Sequence, residues 1–261
     1  MESSNLNSGL RIVLALGLIA VGVRTLLIFK ERHQSAAKPQ PQAIALEADD
    51  YVTPKKLHAY DLNSAKQGLV NTPVWVRAGY GVAYYAYNPA TKRADFSREA
   101  GLLAPIEQLR VTDVVLNRTP KSGAGEWQGP PGARFRVHSD EQQLMAAFAN
   151  GGKTFAFPVG TVSNGDYNLF IDDLLYSEDP RQLYKHWPAE IWQAIEQHQA
   201  KPGMNQLQVS FAIGVPDASS NPSDELNTAL HYANNGHPVT VTFENGKATQ
   251  ITPEQVSAAT H

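Results

Sequence analysis

Apolar residues fill positions 10–29 almost without interruption, and no comparable run follows Lys30. That profile predicts one membrane-spanning helix ahead of a water-soluble body, since a span needs about 20 predominantly apolar residues. Arg11 sits at the edge, where its head can snorkel. Arg24 lies deeper and costs about 2.5–3.5 kcal/mol at mid-membrane, against which each Leu, Ile or Val returns a few tenths. Residues 1–9 are then a tail and 10–29 the span. The same stretch has a second reading as a cleaved signal peptide, with residues 12–23 as its apolar region and Ala20 and Gly22 as the small pair before the cut. The span is preferred because only Arg11 leads the run and because Leu26, Leu27, Ile28 and Phe29 resume it. Arg24, Lys30 and Arg32 follow the apolar core, so the charge count by itself places the body in the cytoplasm.

Residues 30–50 carry no helical or strand periodicity, are rich in Gln, Ala and Pro, and end in the acidic Glu47, Asp49 and Asp50; they read as a linker. Residues 51–175 form a β-rich domain. Runs 73–78 and 82–87 around Gly79-Tyr80-Gly81 predict a hairpin, and 109–116, 133–138 and 153–159 predict further strands. The turn-rich stretches 119–132 and 150–152 separate them, and short strands with such turns suggest a small barrel. One helix is expected among them, with Ser139 as N-cap, Gln142 three residues on, Leu144, Met145 and Phe148 as its stripe and Asn150-Gly151 as its stop.

Residues 176–255 predict an ααβββ domain, with 256–261 as a tail. Asp179-Pro180 opens a short helix to Lys185. Pro188 opens a longer one with Ile191, Trp192 and Ile195 a turn apart, ended by Pro202-Gly203. Asn205 and Gln208 form a capping-box pattern, and Gly214 and Pro216 close that helix. After a polar loop at 217–227, strands are expected at 228–233, 239–243 and 247–251, with turns containing Asn235-Gly236 and Asn245-Gly246. The fold class is therefore α+β: one N-terminal transmembrane helix, a β-rich small-barrel-like domain and an ααβββ domain.

The pattern Gly203-Met204, Gln208-Val209, Gly214-Val215-Pro216 and the strand meander after it, over about residues 188–252, resembles the SmpA/OmlA family of bacterial envelope proteins. The fold of that family resembles the β-lactamase-inhibitor proteins. The resemblance implies a body on the periplasmic side of the inner membrane. Family members are typically lipoproteins, whereas this chain has no cysteine, so attachment here falls to the peptide itself. The whole chain is also similar to bacterial single-span membrane proteins, a similarity that implies no activity.

Composition narrows the chemistry. About 200 residues remain after anchor and linker, enough to bury a core. A net charge of -3 lacks the basic excess that phosphate neutralisation requires, which argues against nucleic acid. Absent cysteine excludes disulfides and thiolate sites. Asp172, Asp173, Glu178 and Asp179 invite a hydrolase reading, which needs two carboxylates held across a substrate. Helix capping explains Glu178 and Asp179 as well. His186, His198, His231 and His237 show no ligand spacing for a metal, and His198 suits a helix C-terminus. Ser210 lies inside a helix, and Gly79-Tyr80-Gly81 and Gly123-Ala124-Gly125 lack the context of a phosphate cradle. No catalytic, cofactor or metal residue is assigned.

Aromatic side chains remain as candidates for protein contact. Strand alternation sends Tyr84 to one face and Tyr85 and Tyr87 to the other. Tyr85 and Tyr87, with Tyr232 and Phe243 on the meander, are the expected contact residues. The expected function is a membrane-anchored envelope protein acting as a non-enzymatic binding or assembly module, with the lipid bilayer and a protein as partners. The alternatives are a carboxylate-dependent hydrolase and, if the leader is cleaved, a secreted inhibitor-like binding protein.

Overall fold

The computed structural model describes residues 47–121, 140–217 and 226–254. The expected span at 10–29, most of the linker, the strand at 133–138 and both tails lie outside the described residues. Among the described residues no helix is long and apolar enough to cross a membrane.

Two antiparallel sheets dominate, so the fold is mostly β and the expected α+β class is corrected. The larger sheet contains β1 (Pro73–Val76), β2 (Ala83–Asn88), β3 (Arg93–Leu102), β4 (Gln108–Arg118), β5 (Gln142–Asn150), β6 (Lys153–Ser163), β7 (Asp166–Leu169) and β8 (Leu175–Tyr176). Its order is β3-β2-β6-β5-β4-β1-β8, with β7 also on β6. The smaller sheet, ordered β11-β10-β9, contains β9 (Thr228–Tyr232), β10 (Val239–Glu244) and β11 (Lys247–Pro253). The helices are short: α1 (Leu62–Leu69), α2 (Ile171–Leu174), α3 (Pro180–Leu183), α4 (Ala189–Glu196) and α5 (Gln206–Ile213).

The helix expected after Ser139 is a strand. Residues 142–150 form β5, paired on one side with β4 and on the other with β6. Leu144, Ala146 and Phe148 enter one buried cluster, whereas Met145 and Ala147 enter another on the opposite face. A strand covered on both faces is apolar at consecutive positions, and such a run also fits a helical stripe.

The hairpin expected around Gly79 is likewise corrected: β1 pairs with β4 and β8, and β2 pairs with β3 and β6. Residues 103–106 claim the intervening connection. Tyr80 N–H donates to Leu103 O at 2.7 Å, Leu103 N–H to Val82 O at 3.0 Å and Ile106 N–H to Val76 O at 2.9 Å. A Cβ on Gly79 would lie 2.3 Å from Pro105 Cα, so only glycine permits this approach.

The described residues from Ala48 to Glu254 belong to one compact unit. The boundary expected between 175 and 176 falls inside β8, where Val76 faces Leu175 and Trp75 faces Tyr176. Val76 and Leu175 join the core of the large sheet, while Trp75 and Tyr176 join a second core with α4, α5 and the small sheet. The caps of this half arise locally. Asp179 accepts from Arg181 N–H at 2.9 Å, and Asn205 and Gln208 exchange bonds across the first turn of α5.

The linker expected to reach Asp50 gives way to a short 3-10 turn, Ala48–Tyr51. Asp49 is fastened to the second core: the Trp187 indole N–H donates to Oδ1 at 2.6 Å, His186 Nε2 lies 2.6 Å from the same oxygen, and Asn205 Nδ2 donates to Oδ2 at 2.6 Å. Replacing this carboxylate strands an indole N–H and an amide, so Asp49→Ala is expected to lower unfolding free energy by about 2–4 kcal/mol. Urea unfolding followed by tryptophan fluorescence checks it.

Gly214 ends α5 at φ 93°, and an added Cβ would lie 2.6 Å from Gly79 O. Val215 N–H donates to that same oxygen at 2.9 Å. Gly214→Ala therefore combines positive-φ strain with a backbone clash, and a loss of about 2–4 kcal/mol in the same unfolding assay is expected.

Candidate functional site

A cleft of about 730 Å³ opens between the β1–β8 edge of the large sheet and α5. Arg77 and Ala78 follow β1, Asp173 comes from α2 and Tyr176 from β8. From α5 come Gln206, Leu207, Ser210 and Phe211, positions that share one helix face, and Val215 and Pro216 complete the wall. The other side of α5, with Val209, Ala212 and Ile213, is buried in the second core. The helix therefore carries apolar residues on its cleft side as well as its core side, and half-buried Leu207 lines the opening beside Gln206 and Ser210.

Arg77 is positioned without a carboxylate. Its backbone N–H donates to Leu174 O at 2.7 Å, one guanidinium nitrogen donates to Asp172 O at 2.8 Å, and the guanidinium carbon lies 5.4 Å from the Tyr176 ring centroid. No carboxylate of the described residues forms an ion pair with it. Burial pushes the Tyr176 phenol well above its ordinary range, and neighbouring Tyr184 adds to the rise while Arg77 opposes it. The cleft thus presents one cation, the Asp173 carboxylate, the Ser210 hydroxyl and the Gln206 amide around a floor of Phe211, Leu207 and Val215.

The acidic set divides along different lines from a catalytic pair. Asp172 accepts from Leu57 N–H at 2.7 Å and His58 N–H at 3.3 Å, and Glu178 accepts from Lys55 N–H at 2.9 Å. Ser177 Oγ donates back to Lys55 O at 2.7 Å. These carboxylates hold the segment after the 3-10 turn as a strap, Asp179 caps α3, and of the four only Asp173 lines the cleft. No two of them face each other there.

The expected contact residues are core residues. Tyr85, Tyr87, Tyr232 and Phe243 are 1%, 8%, 1% and 1% exposed. Strand alternation does separate Tyr84 from Tyr85 and Tyr87, but both faces of β2 are covered. Tyr84 meets Phe148 and Phe155 edge-on at 5.6 and 5.1 Å, while Tyr85 lies 5.2 Å from Phe96. Tyr232 and Phe243 sit beneath the small sheet.

The histidines serve local bonding. His186 meets Asp49, and His198 Nδ1 lies 3.3 Å from Ala212 O in the last turn of α5. Among the described residues no group of three or more His, Asp or Glu is arranged to hold a metal ion. His231 Nδ1 lies 2.7 Å from Glu254 Oε1 and 2.9 Å from Thr240 Oγ1 on the exposed side of the small sheet.

The Thr240 hydroxyl, with His231, holds the Glu254 carboxyl below its ordinary value of 4.5, so its stabilising contribution is lost as pH falls through that lowered value. Asp217 beside it has the opposite sign. Burial pushes its carboxyl above the ordinary 3.8, against the pull of His231, and its buried Oδ1 has no hydrogen-bond partner among the described residues. An acid raised on folding destabilises at neutral pH, and the penalty fades as pH falls through the raised value. Asp217→Asn should therefore gain about 0.5–1 kcal/mol at pH 7. The gain should close at about pH 3, where wild type is protonated in both states; urea unfolding at the two pH values checks it.

The chain matches no protein-family model, no curated protein and no solved structure.

Proposed function

We propose that this chain is a membrane-anchored bacterial envelope protein whose body is a non-enzymatic binding or assembly module, with the cleft beside Arg77 as its contact site. The observation that supports this reading most directly is the cleft. It pairs an apolar floor with a few convergent polar groups, the composition of recognition sites, while its carboxylates are divided between strap, cap and rim. The apolar run at 10–29 supplies the anchor in this reading, and the resemblance of residues 188–252 to the SmpA/OmlA family favours the periplasmic side. An anchor and linker hold the body at high local concentration beside a membrane partner, so even modest intrinsic affinity suffices. The hydrolase alternative loses support because Asp173 lacks a second carboxylate of that set across the cleft.

The test places a photo-crosslinking phenylalanine analogue at Leu207, on the cleft wall, and at exposed Gln250 on β11 as a control, in the full chain within its native membranes. A discrete adduct from position 207 that is absent from 250 is the expected result. Equal adducts from both positions, or none from 207, would remove the cleft as the contact site.

A further inference from the structure

We propose that the cleft receives the C-terminal end of a partner polypeptide, its terminal carboxylate paired with Arg77 and its last side chain seated on Phe211 and Leu207. This rests on the binding reading above and names the chemistry of the occupant. The argument begins with charge. Arg77 is a fixed cation held by a carbonyl and an aromatic face, with no carboxylate of the described residues to neutralise it. A guanidinium offers planar, paired donors, and the group that matches them is a carboxylate.

The surroundings decide which carboxylate. Arg77 lines the same cleft as Ala78, Phe211 and Val215, so an anion that reaches it there arrives together with apolar surface. A chain end presents its carboxylate and its last side chain from one Cα, whereas an internal Asp or Glu must also thread the backbone out on both sides. The volume of about 730 Å³ suits a few residues and lies within the range of sites that enclose small ligands. Asp173 on the same rim carries the opposite charge, which suits it to accept a backbone N–H of the incoming peptide and disfavours a second acidic group there. The site is therefore dipolar in the same sense as a peptide terminus: carboxylate to Arg77, N–H to Asp173, side chain to the floor.

The test uses the full chain in detergent micelles against a library of random heptapeptides displayed with free C-termini. Enriched sequences are then synthesised as free acids and as C-terminal amides, and binding is measured by calorimetry. Enrichment of apolar final residues is expected, with the amide at least about tenfold weaker than the acid. Arg77→Gln should lose as much as amidation does, Arg77→Lys should recover part of it, and Ser210→Trp, which places an indole inside the cleft, should weaken binding at least as much. Unchanged unfolding midpoints show that each variant is folded. No enriched sequence, equal binding of acid and amide, or full affinity in Arg77→Gln would each overturn the assignment. If position 207 still yields its adduct in membranes while the peptides fail, the contact site stands and only the carboxylate assignment falls.

Discussion

Two residues of β8 carry the constraint on which the body depends. Leu175 and Tyr176 pair with Val76 and Trp75, and because successive side chains of a strand point to opposite faces, this one register feeds both cores at once. A ladder that short is weak alone. Its stability comes from what covers it: Tyr176 meets Phe211 edge-on at 5.8 Å, and Tyr184 stacks on Trp187 at 4.5 Å beside them. Such aromatic pairs contribute about 0.5–1.5 kcal/mol each beyond their buried area. A slip of one residue would exchange Leu175 and Tyr176 between cores of different shape, so the register is strongly specified.

The cleft exists because the large sheet and α5 meet at a corner, and two close backbone approaches fix that corner. Gly79 lets the connection after β1 lie against Pro105, and Gly214 turns the chain at the end of α5 onto the carbonyl of Gly79. Arg77, after β1, and Ser210, on α5, thus line the cleft from elements whose approach is set by backbone geometry, which side-chain rearrangement cannot relax. The small sheet is joined to the same frame through Met204, whose carbonyl accepts from Ala248 N–H at 2.7 Å, and through Asp217, whose N–H donates to His231 O at 2.8 Å.

The C-terminal half was legible in the sequence because its signals are local. Asp179-Pro180, the Asn205 and Gln208 exchange, Gly214 at positive φ and the Asn245-Gly246 turn each specify backbone conformation within four or five residues, and the elements form at those places. The large sheet was less legible because its strands answer to distant neighbours. Residues 142–150 are rich in Gln, Leu, Met and Ala, good helix formers, and burial on both faces overrides that preference. Strand β3 alternates poorly because it is an edge strand with bulged pairing to β2, and α1 was hidden by a capping box that uses Ser64 where Glu or Gln is usual. The cleft had no sequence signature, since its residues run from Arg77 to Pro216 and only the fold brings them together. The aromatic strand pattern around Tyr85 was real; what the sequence left open was that neighbours cover both of its faces.

The strap and the charge of the cleft are parts of one arrangement. Asp172 is the acidic residue whose own backbone already touches the Arg77 guanidinium, and its carboxylate is the natural neutralising partner. That carboxylate is instead committed to the N–H groups of Leu57 and His58, so only the carbonyl is left for Arg77. The N–H groups of Leu57 and His58, in a strap also tied down at Asp49 and at Lys55, thus take the carboxylate oxygens a guanidinium would otherwise pair with, and fixed donors lose less entropy in doing so than a long arginine side chain. The segment that carries Leu57 and His58 is therefore also what leaves Arg77 without an ion pair to any carboxylate of the described residues.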